Sequence, residues 1–360
     1  MTSDGASTLE AGSERVAETL QRVRRAREKA VSWLSERVAD DGRPEGAETA
    51  NAWWRAPWAL SVGGADDVAA AMLGWIERNA LTDDGDLRPE PYGGGLPRCP
   101  VYQLSPIAIG AWLLGRYSTA TIIMDKLQQW TDPVHGGAWD FVDHDADPLQ
   151  DSLRTGQLGI SALVTGRTSM ADGVRHWFGA LWDAQPEAGR LYTGMRNGKL
   201  VTEFSPEETF TRVVDYRAPK QTYFHSGIAG AFLAGYAGQA SDPAAIELGL
   251  QYLRLNETGT KEQFEDTTSV QICKYGWGAA AMHAAAPDSG QLPWVLRMAD
   301  WFVTRQRHDG TWAPSSFMVP EPGLLDYYWK TAEHLMELAY IEHALISTRR
   351  APVKPSEAVR

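Results

Sequence analysis

The chain has 360 residues, 43% of them apolar, with 15 Trp and 12 Tyr, which is enough material for a large core and excludes intrinsic disorder. Lys and Arg number 34 against 46 Asp and Glu, a net charge of −12, so a nucleic-acid backbone or an anionic lipid surface is repelled overall and neither is an expected partner. No apolar run is long enough to cross a bilayer, and Cys99 and Cys273 stand far apart behind a start without a charged and apolar leader, so a soluble cytoplasmic protein without disulfides is expected.

Residues 1–13 read as a loose tail, and the domain opens at residue 14 with an amphipathic helix that ends before the glycine loop ADDGRPEG at Gly42. An inner helix is expected over 51–63. It closes at Gly64 in SVGGADD, where a helix-terminating Gly precedes N-capping residues and makes a tight turn. The stretch VAAAMLGWIERNAL follows with the apolar spacing of an outer helix, then the loop at Gly85 and an inner helix over 102–115 that ends at Gly115. The third unit repeats the sequence: a loop at Gly137, an inner helix over 152–166 and a turn at Gly166. The turns at Gly64, Gly115 and Gly166 recur at intervals of 51 residues, which marks a repeat architecture.

The fourth unit is longer by 21 residues. The excess falls after Gly189, where strand-forming runs flank Asn197-Gly198 and predict a β-hairpin near 190–204, the only β-structure of note. Inner helices are then expected over 221–237, ending near Gly238, and over 268–286 after the loop at Gly259, with the next turn around Ser289. The outer stretch LPWVLRMADWFVTRQ, the loop at Gly310 and a more polar inner helix over 326–347 complete the set, and 349–360 reads as a second tail. Inner segments such as HSGIAGAFLAGYAG are apolar all round, so they must be buried. Six outer and six inner helices predict an all-α, closed (α/α)6 toroid in one domain over 14–348.

In such a ring the long loops share one rim with the inner-helix N-termini, and the tight turns share the other. The cavity should open on the rim carrying Trp139, Trp312 and the hairpin. The first two turns of the inner helices supply Trp53, Trp54 and Arg55; Tyr102 and Gln103; Asp151 and Arg154; Tyr223 and His225; Gln271, Lys274 and Tyr275; and Tyr327, Tyr328, Trp329, Lys330, Glu333 and His334. Polar groups at equivalent points of buried helices must share one interior space. His225, with Tyr223 beside it, is the proton-carrier candidate, with Glu265 or Asp266 as its partner. Substrate binding falls to Trp53, Trp54, Arg55, Tyr102, Gln103, Arg154, Gln271, Lys274, Tyr275, Trp329, Lys330 and His334. Arg55, Arg154, Lys274 and Lys330 make four cations in one space and predict a polar or anionic ligand, unless Glu265, Asp266, Glu333 and Asp151 neutralise them in pairs. The run DFVDHDADPLQD gathers Asp140, Asp143, Asp145 and Asp147 around His144 but lacks the Gly and terminal Glu of a calcium loop, so no metal is expected. No phosphate loop, G-x-S-x-G, H-E-x-x-H or C-x-x-C occurs, and no cofactor is expected.

The six-hairpin pattern, with the loops HGGAW and RQRHDGTW, resembles the α/α-toroid superfamily of terpenoid cyclases, six-hairpin glycosidases and sugar epimerases over roughly residues 15–348. The opening NAWWRAPWALSVGG resembles a further toroid group to which the likeness attaches no activity. Against the Asp-x-Asp-Asp-Thr motif of class II terpenoid cyclases the chain reads Gln263-Phe264-Glu265-Asp266-Thr267-Thr268, with Glu265 at the donor position and Gln263 in place of the first Asp. The first reading is therefore a cofactor-independent acid/base enzyme of cyclase, isomerase or lyase type, working on a small polar or anionic molecule in secondary metabolism. The alternative is a glycoside hydrolase or sugar epimerase, recognised by paired carboxylates or histidines over an aromatic floor. A third is a toroid that binds without turnover.

Overall fold

In the computed structural model, which describes residues 3–89, 91–92, 100–139 and 148–350, amphipathic helices alternate with apolar ones. In chain order they are α1 (Ser3–Ser35), α2 (Ala56–Gly63), α3 (Asp66–Asn79), α4 (Pro100–Leu113), α5 (Tyr117–Gln128), α6 (Ser152–Val164) and α7 (Thr168–Asp183). The short α8 (Pro206–Arg212) precedes α9 (Phe224–Ala240) and α10 (Pro243–Glu257). The single turn α11 (Glu262–Glu265) precedes α12 (Cys273–Ala285), α13 (Leu292–Arg305) and α14 (Leu324–Arg350). The apolar helices pack in sequence, α2 on α4, α4 on α6, α6 on α9, α9 on α12 and α12 on α14, and α14 returns to α2. That closes an inner ring. Around it stand α1, α3, α5, α7, α10 and α13, each presenting an apolar stripe; α13, for example, buries Val295, Met298, Ala299, Trp301 and Phe302. The molecule is an (α/α)6 toroid.

The turns between inner and outer helices follow the glycines where the chain allows. Gly64, Gly115 and Gly166 have φ of +89°, +73° and +73°, the left-handed region that ends a helix without steric cost in glycine. The fourth turn differs from expectation: α9 continues through Gly238 to Ala240, and Ser241 takes the left-handed conformation at φ +54°. Three inner helices start later than the sequence suggested, among them α9, which begins at Phe224. α2 begins at Ala56, where Pro57 pre-sets the first turn, and α12 begins at Cys273. α1 runs from Ser3, through the segment expected as a tail. Residues 351–360 lie outside the described residues.

The insertion after α7 carries more β-structure than one hairpin. Short strands are β1 (Gln150–Asp151), β2 (Arg190–Tyr192), β3 (Gly194–Arg196), β4 (Lys199–Leu200) and β5 (Val213–Asp215). β3 and β4 form the expected hairpin, with Asn197 and Gly198 at φ +50° and +70° as a type I′ turn demands. β1 pairs with the other edge of β3, Gln150 opposite Met195, and β2 pairs with β5, Leu191 opposite Val214. Both extra pairings satisfy backbone groups that the insertion would otherwise bury bare, and the β1–β3 pairing ties it to the start of α6.

Candidate functional site

A cavity of about 230 Å³ opens where four inner helices begin, on the rim of the long loops. Tyr102 of α4, Phe224 of α9, Cys273 and Lys274 of α12, and Trp329, Lys330 and Glu333 of α14 line it. Val270 and Gln271 come from the loop before α12, and Pro314, Ser315, Met318 and Val319 from the loop before α14. Trp312 is buried beneath that last loop, its indole N–H donating to the Phe302 carbonyl at 2.9 Å.

Glu333 organises the charges. Its Oε1 accepts from Arg55 Nη1 at 2.9 Å and from Lys274 Nζ, and its Oε2 accepts from Lys330 Nζ at 2.5 Å. Glu337, one turn further along α14, lies 3.4 Å from Lys274 Nζ and accepts from His334 Nδ1 at 3.1 Å. All six groups are buried. Burial alone would raise the Glu333 pKa, but Lys274, Lys330 and Arg55 hold it well below the usual carboxylate range. Burial would likewise lower Lys274, and the two glutamates drive it well up. Burial keeps the His334 pKa low, and its ring sits among the edges of Trp301, Phe302 and Trp312 at centroid distances of 5.9, 5.1 and 5.8 Å. Arg55 stacks on Trp54 and Tyr102, with its guanidinium carbon 4.2 and 5.2 Å from their rings.

A second buried cluster lies at the start of α6. Asp151 caps α6 by accepting from the Arg154 amide at 2.9 Å, and its Oδ2 takes the Arg154 guanidinium and Arg212 Nη1, the latter at 3.0 Å. Burial pushes Asp151 up, but the two arginines hold it well below the usual range. His225 Nδ1 and Ser152 Oγ share a hydrogen bond of 2.7 Å. Burial pushes His225 down to about 3, so the imidazole is neutral at physiological pH. The Phe224 ring, which lines the cavity, lies 4.6 Å from that of His225.

The structure separates the expected residues into three groups. Tyr102, Gln271, Lys274, Trp329 and Lys330 line the cavity, and Arg55, Trp54 and His334 stand directly behind it. Arg154 and His225 belong to the Asp151 cluster, so three of the four expected cations converge and the fourth does not. The rest serve the scaffold. Trp53 is wedged edge-on between Trp75 and Tyr92, and Gln103 is half-buried off the cavity wall. Tyr275 points outward to Glu257, Phe264 and Trp294. Tyr223 donates its hydroxyl proton to the Ala218 carbonyl, and burial raises its pKa to about 12.

Glu265 and Asp266 correct the expectation most. Glu265 is exposed and faces outward, 3.9 Å from Arg297 of α13. Asp266 accepts from the Thr268 amide and hydroxyl at 2.8 and 2.6 Å, a turn that ends α11. Neither acid is among the residues that line the cavity. The acidic run with Asp140, Asp143, His144, Asp145 and Asp147 lies outside the described residues, as does Cys99.

Glu337, Cys273, Arg212 and the loop of Pro314 to Val319 were not singled out by sequence reasoning. Glu337 falls one turn beyond the two-turn window, although a second acid on the apolar face of HLMELAY is a readable signal. The Cys273 thiol, His334 and Glu337 bring their ligand-type atoms within 4.8 Å of one another. A divalent cation there would stand beside three fixed cations, so the charges suit an anion better.

No protein-family profile and no curated protein matches the sequence. Similar solved structures are the GH76A α-1,6-mannanase of Salegentibacter sp. HEL1_6 (TM-score 0.62, 13% identity, 90% of this chain and 99% of that one) and a family 76 glycoside hydrolase of a bovine Bacteroides thetaiotaomicron strain (0.62, 12%, 91% and 78%). A sugar epimerase from a ruminal bacterium is similar at TM-score 0.60 and 13% identity over 92% of this chain and 100% of that one. An inactive variant of the same mannanase carries substitutions at two adjacent aspartates. What this chain shares with these carbohydrate-active enzymes is the six-hairpin toroid fold.

Proposed function

We propose that the cavity takes a sugar of monosaccharide size and moves a proton on the carbon beside its carbonyl, as an epimerase or aldose–ketose isomerase does. The observation that carries this reading is an ionised carboxylate, Glu333, the one acid that the described residues bring to the wall, set among ammonium groups in a small cavity with Tyr102 and Trp329. Glu333 serves as the base, taking the proton from C2 and, once protonated, returning it to the enediolate at C1 for a ketose or at C2 for the epimer. Lys274 and Lys330 stabilise the negative charge that develops on the carbonyl oxygen as the proton leaves. A volume of about 230 Å³ lies below the roughly 300–1,000 Å³ of sites for drug-sized ligands, which suits one sugar ring better than an oligosaccharide.

Hydrolysis is the second reading, favoured by the likeness to the mannanases. It needs two carboxylates roughly 5–10 Å apart, one of them protonated to act as acid. Among the described residues the cavity wall offers Glu333, which its cations keep ionised. The adjacent acid pairs 40–41, 66–67, 83–84, 207–208 and 265–266 do not line the cavity. The cyclase and lyase readings lose their acid with Glu265. The test is proton NMR of aldoses and ketoses incubated with the protein in D₂O, beside an assay for reducing ends released from α-1,6-mannan. Expected is deuterium at C2 with formation of epimer or ketose, no release of reducing ends, and loss of at least about 10²-fold in a folded Glu333→Gln variant. Release without exchange would replace this reading by hydrolysis, and sugar binding with neither would leave a binding toroid.

A further inference from the structure

We propose that the ligand carries an oxyanion, a carboxylate or phosphate borne on the sugar, seated against Lys330 and Lys274. This rests on the sugar reading and names its substrate class. The buried cluster holds three cations, Arg55, Lys274 and Lys330, against two carboxylates, Glu333 and Glu337. Its remaining titratable members are a thiol, Cys273, an imidazole, His334, and the phenol of Tyr102, none of which adds a positive charge at neutral pH. Among the described residues one positive charge of this cluster is therefore uncompensated, inside a protein of net charge −12. An unbalanced interior charge is costly, and a cavity beside it lets a ligand supply the balance.

The lysines are suitably placed. Lys330 and Lys274 both line the cavity, whereas Arg55 stands behind Glu333 and anchors it from the far side. Lys330 Nζ reaches Glu333 and lies 4.0 Å from the Trp329 ring centre. An ammonium has three donors, so donors remain for an anion. In this half-closed, apolar-walled space a charge-assisted bond is stronger than on the surface. An anion on Lys330 also competes with Glu333 for the same ammonium, which weakens the hold on Glu333 and makes it a better base once the ligand is seated.

Calorimetric titration with glucose, glucuronate, glucose 6-phosphate, inorganic phosphate and benzoate, at low and high salt, tests the seat. Lys330→Gln is the variant of choice because Glu333 keeps Arg55 and Lys274, and circular dichroism checks its fold. Expected is a preference of about tenfold or more for an acidic sugar over glucose, weakened by salt and lost in Lys330→Gln. The tighter of glucuronate and glucose 6-phosphate names the anion. Equal binding of glucose and the acidic sugars, or a preference unchanged in Lys330→Gln, overturns the anion seat and leaves the sugar reading standing. Benzoate or phosphate bound through Lys330 while no sugar binds overturns the sugar reading and keeps the seat. No binding by any of the five overturns both.

Discussion

Glu333 shows what one residue can and cannot announce. The starts of the inner helices made Arg55, Lys274 and Lys330 readable as cations sharing one interior, since a buried helix leaves its polar side chains few places to go. What joined them was not readable: Arg55 and Glu333 are 278 positions apart, and Arg154 turned to Asp151, its own helix cap three residues back. The structure makes Glu333 the centre of a network in which every partner is buried. Replacing it by Gln leaves three cations facing Glu337 alone. Glu333→Gln should cost about 3–5 kcal/mol, the scale for breaking a buried pair from one side. Lys274→Met in the same chain should restore part of it. Denaturant titration of the two single variants and the double gives the coupling, expected at about 1–3 kcal/mol. Additive losses would mean that the cluster is not one unit.

At the scale of elements, glycine and asparagine carried most of the signal. The 51-residue spacing of Gly64, Gly115 and Gly166 marked the repeat, the six glycine loops from Gly42 to Gly310 set the hairpin count, and Asn197-Gly198 announced the β3–β4 turn. The pairings of β1 with β3 and β2 with β5 were hidden, because two- and three-residue strands have no periodicity of their own. α8 carried a legible signal that went unused: Ser205 and Glu208 in SPEE form a capping box. Gly238 misled for a physical reason. It is an open helical position where an added Cβ meets nothing within 4 Å, so the helix runs through it. Gly227, in the same helix, is the opposite case, since a Cβ there would run into the Lys274 carbonyl and the Tyr275 nitrogen of α12. Gly238→Ala should therefore stabilise by roughly 0.5–1 kcal/mol. Gly227→Ala should destabilise by about 1–3 kcal/mol and weaken ligand binding, because the backbone it displaces carries Lys274. Thermal melts of the two variants should move in opposite directions, and a Gly227→Ala protein as stable as the parent would show that α9 and α12 can separate freely.

The whole molecule depends on closure, and the cavity lies at the start of α14, beside the seam where α14 returns to α2. The Arg55–Glu333 pair joins the start of α2 to α14, so the charge cluster exists only in a closed ring. α1 secures that junction from outside. It packs on α13, α14 and α2, and Glu342 of α14 takes Arg24 at 2.9 Å and Arg27 at 3.0 Å. The Glu342 side chain is only 6% exposed, whereas the neighbouring Arg22–Asp300 pair, at 2.6 Å, has both side chains about 40% exposed. Solvent screens the second pair and not the carboxylate of the first, so the two should differ although both look alike in a list of contacts. Glu342→Ala should cost about 1–3 kcal/mol by leaving two arginines without their partly buried acceptor, and Asp300→Ala should cost about 0–1 kcal/mol. Scanning calorimetry distinguishes a further point. If the toroid unfolds as one unit, Glu342→Ala shifts a single transition downward, and a ligand in the cavity shifts it back upward in proportion to its saturation. If a separate low-temperature transition appears instead and the cavity ligand moves only the higher one, then α1 is a detachable brace, and the inner ring holds the site without it.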